Sequence, residues 1–443
     1  MAITGRAAGL AFALTLVVLV APAPWAALGV ADGLLVVAIL VDLALAGSVR
    51  ALSFARSGPG AARLGEPVPM VLSVTNGGQR TARVRIRDAW PPSARVSPRV
   101  ATATVPAGER RRVEQLLRPT RRGDRRPFRV TVRCIGPLGL AGRQGRHAVD
   151  WRLRVLPPFS SRRHLPAALA RLREIEGEVA VRGRGQGSEF DSLREYVTGD
   201  DARTIDWRAT ARRGTVTVRT YRPERDRQVI CVLDTGRTSA GRVRDGTRLD
   251  HYLDATLLLA AVATRAGDRV GLLAHDAVVR LTLPPGSAGS TSGGTSGAAG
   301  RGTLARLTEA MATLEPALLE ADHRAGVAAI LRSTRRRSLV VLFTELVPAV
   351  VEEGLIPALP AVVSRHTVVV AALRDPRLAE LAAGRDDARA VYAAAAAERT
   401  LGERRRLSAL LRHHGVEVVD AGPDAFAPAV TDTYLTLKAA GRL

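Results

Sequence analysis

Apolar and polar positions fall into distinct patterns along the chain, and each pattern predicts a different kind of structure. Residues 7–47 are almost all apolar and divide at residues 21–25 (APAPW) into two stretches, about 7–24 and 27–47. Each is close to the roughly 20 residues that cross the hydrocarbon of a bilayer, and Trp25 fits an interfacial anchor between them. From 62 to 155 the alternation has period two. Short runs at 68–74, 82–87, 128–133 and 151–155 are separated by turn signals at 76–78, 91–92, 106–108 and 122–124. This predicts an antiparallel β-sandwich whose alternate arginines form the wet face. Residues 156–186 read as a polar linker with a short amphipathic helix over 165–175.

Beyond an edge strand at 215–220, strands and helices alternate. Strands are expected at 228–233, 269–274, 278–283, 338–344, 366–373 and 416–419. Helices are expected at 247–265, 304–331, 350–363, 401–412 and 426–440. Such a rhythm predicts a mostly parallel sheet covered on both faces. The Gly/Ser/Thr-rich run 286–302 reads as a flexible loop, and no Gly-Lys-Ser/Thr follows its glycines, which excludes a P-loop ATP site. The chain thus reads as multidomain: a transmembrane helical hairpin (1–50), a β-sandwich (51–156), a linker and polar segment (157–227) and an α/β domain (228–443).

The polar segment is dense in Arg, Asp, Glu and aromatic residues, with neither helical regularity nor strand alternation. Arg194 or Arg203 pairing with Asp200, Asp201 or Asp206 under aromatic cover predicts a clamp that fixes a loop without chemistry. A ligand or partner site is the alternative. In open α/β sheets ligands sit beyond the C-terminal strand ends. Asp234 and Glu345 follow two strongly apolar strands there and form the best pair for a divalent ion.

Charge adds a topology signal. Arg6 precedes the first apolar stretch and Arg50, Arg56 and Arg63 follow the second. Short basic flanks favour the cytoplasmic side, so the expectation is a multi-pass membrane protein with two transmembrane helices and cytoplasmic soluble domains. The rival reading makes residues 1–23 a cleaved signal peptide, with the second stretch as the remaining anchor. Asp32 and Asp42 lie near opposite ends of that second stretch, within reach of headgroups. The formal charge of +23 comes from 65 Lys plus Arg, yet Lys438 is the single lysine. Phosphate recognition draws on lysine as well as arginine. Arginine alone reads as compositional bias, which argues against a specific nucleic-acid partner and leaves anionic membrane lipid or other proteins. The two cysteines, Cys134 and Cys231, make no disulfide framework, and Cys231 sits in an apolar strand.

The residues Gly187, Phe190, Arg194, Tyr196, Gly199, Asp200, Arg203, Asp206, Trp207, Ala211 and Glu224 carry a resemblance, together with residues 268–272, 337–344 and 434–438. They are similar to the signature of the bacterial domain-of-unknown-function 58 family, whose C-terminal part looks like a von Willebrand factor type A (Rossmann-like) domain. The resemblance implies a membrane hairpin, a β-sandwich, the signature segment and the α/β domain. It also implies a partner, a MoxR-type AAA+ ATPase, for a non-enzymatic binding or assembly factor. A complete metal-ion-dependent adhesion site uses Asp-x-Ser-x-Ser. Here the sequence is Asp234-Thr-Gly-Arg-Thr238: Gly236 offers no ligand atom, Thr238 supplies the second hydroxyl, and Glu345 replaces the later Asp. The implied ligands for Mg²⁺ are therefore Asp234, Thr238 and Glu345, in a degenerate site where Arg237 pairs with a rim carboxylate. The alternative function is a metal-dependent hydrolase using the Asp200/Asp201/Asp206 segment. No Ser-His-Asp order or metal-spaced His pair supports it. His413 and His414 sit at a helix end, and His251 lies on the first rim helix.

Overall fold

The computed structural model describes residues 2–182, 189–197, 202–222, 227–286 and 296–443, in two units, Met1–Leu156 and Pro157–Leu443. The first unit has N-terminal helices and a β-rich body, and the second is α/β.

In the first unit, β1 (Ala2–Ile3) precedes α1 (Gly5–Val20) and α2 (Pro24–Leu45). Pro24 occupies the first turn of α2, where its missing N–H costs nothing. The strands are β2 (Leu52–Ser57), β3 (Ala61–Arg63), β4 (Val68–Asn76), β5 (Ala82–Asp88), β6 (Ala101–Val105), β7 (Arg110–Leu117), β8 (Gly123–Arg125), β9 (Val130–Ile135), β10 (Ala141–His147) and β11 (Leu153–Leu156). They build a five-stranded sheet ordered β1-β10-β9-β5-β6, a three-stranded sheet β2-β4-β7, and a small sheet β3-β11-β8. Period-two burial sends Leu72 and Val74 of β4 inward to meet Val84 and Ile86 of β5 and Val130, Val132 and Cys134 of β9 in one core. The opposite positions on β5 are Arg83, Arg85 and Arg87, which face solvent.

The expectation of two spanning helices is overturned. Among the described residues one helix is long and apolar enough to cross a membrane, the continuous stretch Pro24–Ala51 with mean hydropathy 2.3. α1 is confined to 16 residues, about 24 Å at 1.5 Å per residue, less than the roughly 30 Å of hydrocarbon. The multi-pass topology falls with it, and so does the cytoplasmic assignment built on matched basic flanks. One of those flanking arginines is not a free surface charge. Arg56 is a buried side chain whose guanidinium pairs with Asp88 at 2.5 Å. Trp90 Nε1 donates to the same carboxylate at 2.9 Å.

Asp42, expected near the headgroups, is instead fully buried at the end of α2. Its Oδ1 accepts from Leu138 N at 2.7 Å, and its Oδ2 accepts from Leu140 N at 2.7 Å and Ala141 N at 2.8 Å. These groups line the turn between β9 and β10, and a Cβ at Gly136 would collide with the carboxylate. Thr4 Oγ1 donates to Gly139 O at 2.6 Å on the same turn.

In the second unit, α3 (Leu165–Arg182) is followed by β12 (Glu189–Glu195), α4 (Trp207–Arg213) and β13 (Thr217–Arg222). The main sheet uses β14 (Gln228–Asp234), β17 (Arg269–His275), β18 (Val279–Leu283), β19 (Ser338–Phe343), β20 (Thr367–Leu373) and β21 (Glu417–Ala421). The short ladder β15 (Arg242–Val243) and β16 (Gly246–Thr247) leads into α5 (Arg248–Arg265). The order is β18-β17-β14-β19-β20-β21, parallel except for β18. One face is covered by α5, α6 (Ser296–Ala312) and α11 (Pro423–Ala439), with Tyr252, Met311, Phe426 and Tyr434 in its core. The other is covered by α7 (His323–Ser333), α8 (Leu359–Val363) and α10 (Ala388–His413), through Ile330, Leu359, Leu407 and Leu411. Beyond α8, α9 (Pro376–Ala383) packs near α10.

The helices expected over 165–175 and 401–412 are longer, Leu165–Arg182 and Ala388–His413, and three other expectations differ in kind. The single helix expected over 304–331 is two helices, α6 and α7, with Pro316 in the connection and Asp322 capping α7 by accepting from Ala325 N. The helix expected over 350–363 is a π-helical turn, Ala349–Leu355, followed by α8. The polar segment contains a real strand, β12, paired antiparallel with β13 through a bulge between Phe190 and Ser192.

Candidate functional site

The parallel strands β14, β17 and β19 deliver their C-terminal residues to one rim, because Asp234 pairs in register with His275 and Leu233 with Phe343. Thr344 and Glu345 follow directly. Asp234 is fully buried and satisfied within its own chain. Its Oδ1 accepts from Gly236 N at 2.7 Å, and its Oδ2 accepts from Thr344 Oγ1 at 2.7 Å and Thr238 Oγ1 at 3.3 Å. Ser239 Oγ donates to its carbonyl at 2.5 Å. Gly236 stands where a serine would complete an adhesion motif, and the structure supplies the reason. A Cβ there would lie 3.0 Å from both Asp234 Oδ1 and Leu319 O, and 3.1 Å from Ala321 N. The 317–321 loop fills that space, held by Arg237 N donating to Leu319 O and Ala317 N donating to Thr235 O, each at 2.7 Å.

Glu345 points its charge elsewhere. Both of its carboxylate oxygens are taken by guanidinium groups, one by Arg248 Nε at the start of α5 and the other by Arg404 Nη1 of α10. Arg404 also binds Asp420 at 2.8 Å and reaches Leu373 O at 3.4 Å. Burial alone would lower its pKa. The hydrogen bond to Asp420 and the charge of Glu345 outweigh that and hold it raised. Tyr252 Oη donates to Thr344 O at 3.0 Å beneath this network. Burial, then the negative charge of Glu345, pushes the phenol well above its ordinary value.

The implied Mg²⁺ finds a poor donor set in this arrangement. Gly236 gives no oxygen, Glu345 is saturated by two cations, and the remaining carboxylate, Asp234, already accepts three hydrogen bonds. Mg²⁺ requires near-ideal octahedral oxygen geometry. Among the described residues no group of three His, Cys, Asp or Glu is placed to hold a metal.

Two histidines that sequence reading passed over lie behind the rim. His275 and His323 are both buried, their rings edge to face at 5.6 Å. Neither Nδ1 has a hydrogen-bond partner among the described residues. Burial lowers the pKa of both below the ordinary imidazole value, although Asp234 nearby acts in the opposite sense. Two glycines make room for the rings. A Cβ at Gly326 would lie 2.8 Å from the His275 ring, and one at Gly354 would lie 2.5 Å from His323 Cδ2. Outside these rings is an open cleft of about 260 Å³, lined by Asp234, Arg237, Thr238, Glu320, His323 and Glu353 among others. On its lip Arg237 pairs with Glu320 at 2.8 Å, both exposed. Leu318 and Leu319, on the loop that packs over Gly236, are 80% and 51% exposed.

The signature residues divide. Gly187, Gly199, Asp200, Asp201 and Glu224 lie outside the described residues. Phe190 is in β12, and Ala211 is in α4. Asp206 caps α4, its Oδ1 accepting from Arg208 N and Ala209 N at 3.0 Å each. Its Oδ2 accepts from Arg219 Nε at 2.7 Å, so its partner is neither Arg194 nor Arg203 but a residue of β13. The backbone N–H of Ala209, followed by Arg219, holds the Asp206 carboxyl below its usual range. Arg194 donates to Glu195 O at 3.1 Å, Arg203 lies in the short helical turn Ala202–Thr204, and Tyr196 N donates to Val216 O at 2.8 Å. Trp207 is 70% exposed.

Two other stretches quoted for the resemblance meet in space. Tyr434 Oη and Lys438 Nζ donate to Asp268 Oδ2 at 2.6 and 2.8 Å. The one lysine in the chain therefore neutralises a buried aspartate.

A family model described as "Protein of unknown function DUF58" matches residues 192–391, just under half of the chain. Uncharacterized proteins of Mycobacterium tuberculosis and Mycobacterium bovis are 27% identical over 203 residues, 44% of this chain and 58% of theirs. The matched region thus spans a little over half the length of these curated relatives. Among solved structures, a native α2-macroglobulin segment from Escherichia coli is 14% identical, covers 25% of this chain and 17% of that one, and gives a TM-score of 0.21. The CARDB domain of a Pyrococcus furiosus protein is 13% identical, covers 24% and 86%, and gives 0.17. Likenesses this weak decide nothing about fold or function.

Proposed function

We propose that this chain is a non-enzymatic, membrane-tethered binding or assembly factor carrying a DUF58 domain. Its α/β unit is a von Willebrand factor type A-like module with a rebuilt, metal-independent rim, and its partner is a MoxR-type AAA+ ATPase. One observation carries the reading: the two rim carboxylates, Asp234 and Glu345, are consumed by groups of their own chain. A general acid or base must reach a substrate proton, and neither carboxylate has that freedom. The rim is instead fixed in shape, and beside it an exposed apolar pair, Leu318 and Leu319, sits next to the Arg237–Glu320 ion pair. An apolar centre ringed by charge is the usual make-up of a protein-docking surface. The strand order supports the fold reading, and the apolar helix α2 supports a single tether.

The test is affinity capture of a purified MoxR-type ATPase by the full-length protein. The double variant Leu318→Asp/Arg237→Glu should lose capture, while Trp207→Ala on α4 should keep it. Capture unaffected by the rim variant would move the interface away from the rim.

A further inference from the structure

The outward face of the five-stranded sheet carries a row of arginines without an acidic partner among the described residues. Arg85 and Arg87 of β5, Arg133 of β9, Arg146 of β10 and Arg129 just before β9 line one shallow hollow of about 760 Å³. Its lining contains no Asp or Glu. The register sets Arg85 directly opposite Arg133, and Thr131 lies between Arg87 and Arg146. Like charges directly opposite destabilise a sheet, so the row costs folding free energy. Arg133 Nε donates to Gln144 Oε1 at 2.6 Å. Arg85, Arg87, Arg129 and Arg146 have no acidic partner among the described residues. Phe128, 70% exposed, stands at the edge of the hollow.

Position separates the candidate polyanions. β9 and β10 are joined by the turn that Asp42 clamps, and Asp42 lies at the end of α2, the one apolar helix long enough to span. Leu34, Val36, Val37 and Leu40, along α2, are all more than half exposed. Arg133 and Arg146 are each five residues from the clamped groups Leu138 and Ala141. At about 3.3 Å per residue, the arginine row begins on the order of 17 Å of chain from the helix end. The headgroup layer is about 6–8 Å thick, and an arginine side chain spans much of the remaining gap. The row therefore begins where a bilayer holding α2 would present its phosphates.

We propose that this sheet face binds the headgroups of anionic phospholipids, holding the first unit against the membrane that α2 enters. The inference rests on the single-tether reading of α2. Each arginine near an anionic surface strengthens binding about fivefold, and the attraction fades within a Debye length of about 8–10 Å.

The experiment uses the full chain with vesicles of neutral phosphatidylcholine, or of phosphatidylcholine with anionic phosphatidylglycerol. Flotation reports the tether. An environment-sensitive fluorophore on Val100→Cys, at the edge of the hollow, reports the face. The expected result is flotation with both vesicles, and a lipid-contacted probe fraction at least fivefold higher with the anionic ones. That rise should be lost in Arg85→Gln/Arg133→Gln/Arg146→Gln and kept in the matching Lys variant. Because the Gln variant removes opposed like charges, its thermal unfolding should match or exceed that of the parent. Flotation with a probe indifferent to anionic lipid would overturn the lipid face and keep the tether. Failure to float with either vesicle would overturn both. A single-stranded oligonucleotide that shifts the probe more strongly than anionic vesicles, with the same arginine dependence, would reassign the face to nucleic acid.

Discussion

Replacing Glu345 by Gln keeps its shape and removes one negative charge from between two buried guanidinium groups. The Arg404 side chain is 4% exposed, that of Arg248 15%, and that of Glu345 6%. Breaking a buried ion pair by neutralising one partner typically costs about 3–5 kcal/mol. Arg404 keeps Asp420 and Leu373 O, which places the expected loss near the lower end, about 3 kcal/mol. For a unit of this size that corresponds to a fall in Tm of roughly 5 °C. Urea unfolding of the full chain in detergent, followed by circular dichroism, reads the same change as a lower midpoint at unchanged slope. The variant pair Glu345→Gln and Arg404→Met should show coupling of at least about 1 kcal/mol in a double-mutant cycle. Added Mg²⁺ should leave the parent unmoved. A loss below about 1 kcal/mol, or one seen only with Mg²⁺ present, would refute the argument and return Glu345 to the role of metal ligand.

Further outcomes follow from the same contacts. Burial holds His275 and His323 below the ordinary imidazole value, so the folded chain takes up protons there at lower pH than the unfolded chain, which does so below about pH 6.5. Stability is therefore present above pH 6.5 and falls as the pH drops towards 5, by up to about 1.4 kcal/mol per pH unit for each ring; His323→Gln should flatten the slope in a urea series. Lys438→Met strips the cation from Asp268, whose carboxyl burial already raises, and should cost about 3 kcal/mol by thermal unfolding. Asp42→Ala orphans three backbone N–H groups at 138–141 and should cost about 3–9 kcal/mol, at about 1–3 each, read as faster hydrogen exchange of that turn. Gly236→Ser should destabilise the rim by about 1–3 kcal/mol, because its Cβ meets the 317–321 loop, and should not create Mg²⁺ affinity in calorimetry.

What was legible in the chain was what depends on neighbours in sequence. The period-two burial of β4, β5 and β9 and the apolar strands of the main sheet are written in local alternation and runs. β12 escaped because its bulge after Phe190 breaks the alternation on which a strand is recognised. α1 falls short of the expected span because apolar residues continue past Pro22 in the sequence, whereas the helix ends at Val20. The site was legible as an address and not as a chemistry. Asp234 and Glu345 follow apolar strands, which located the rim. Their partners are a hundred or so residues away for Thr344 and Arg248, and in another helix for Arg404, so no spacing rule announced that one carboxylate was already saturated by hydrogen bonds and the other by two guanidinium groups. Lys438 carried a signal that was available, since a lone lysine in an arginine-only chain points to a specific partner, here Asp268.

The most direct measurement is the equilibrium affinity of a purified MoxR-type ATPase for the full-length protein and its Leu318→Asp/Arg237→Glu variant, with and without a Mg²⁺ chelator. Binding that is insensitive to chelation before nucleotide is added, and at least tenfold weaker in the variant, is the predicted result. Affinity unchanged by the variant, or binding abolished by chelation and restored by Mg²⁺ alone, would contradict a metal-independent docking rim.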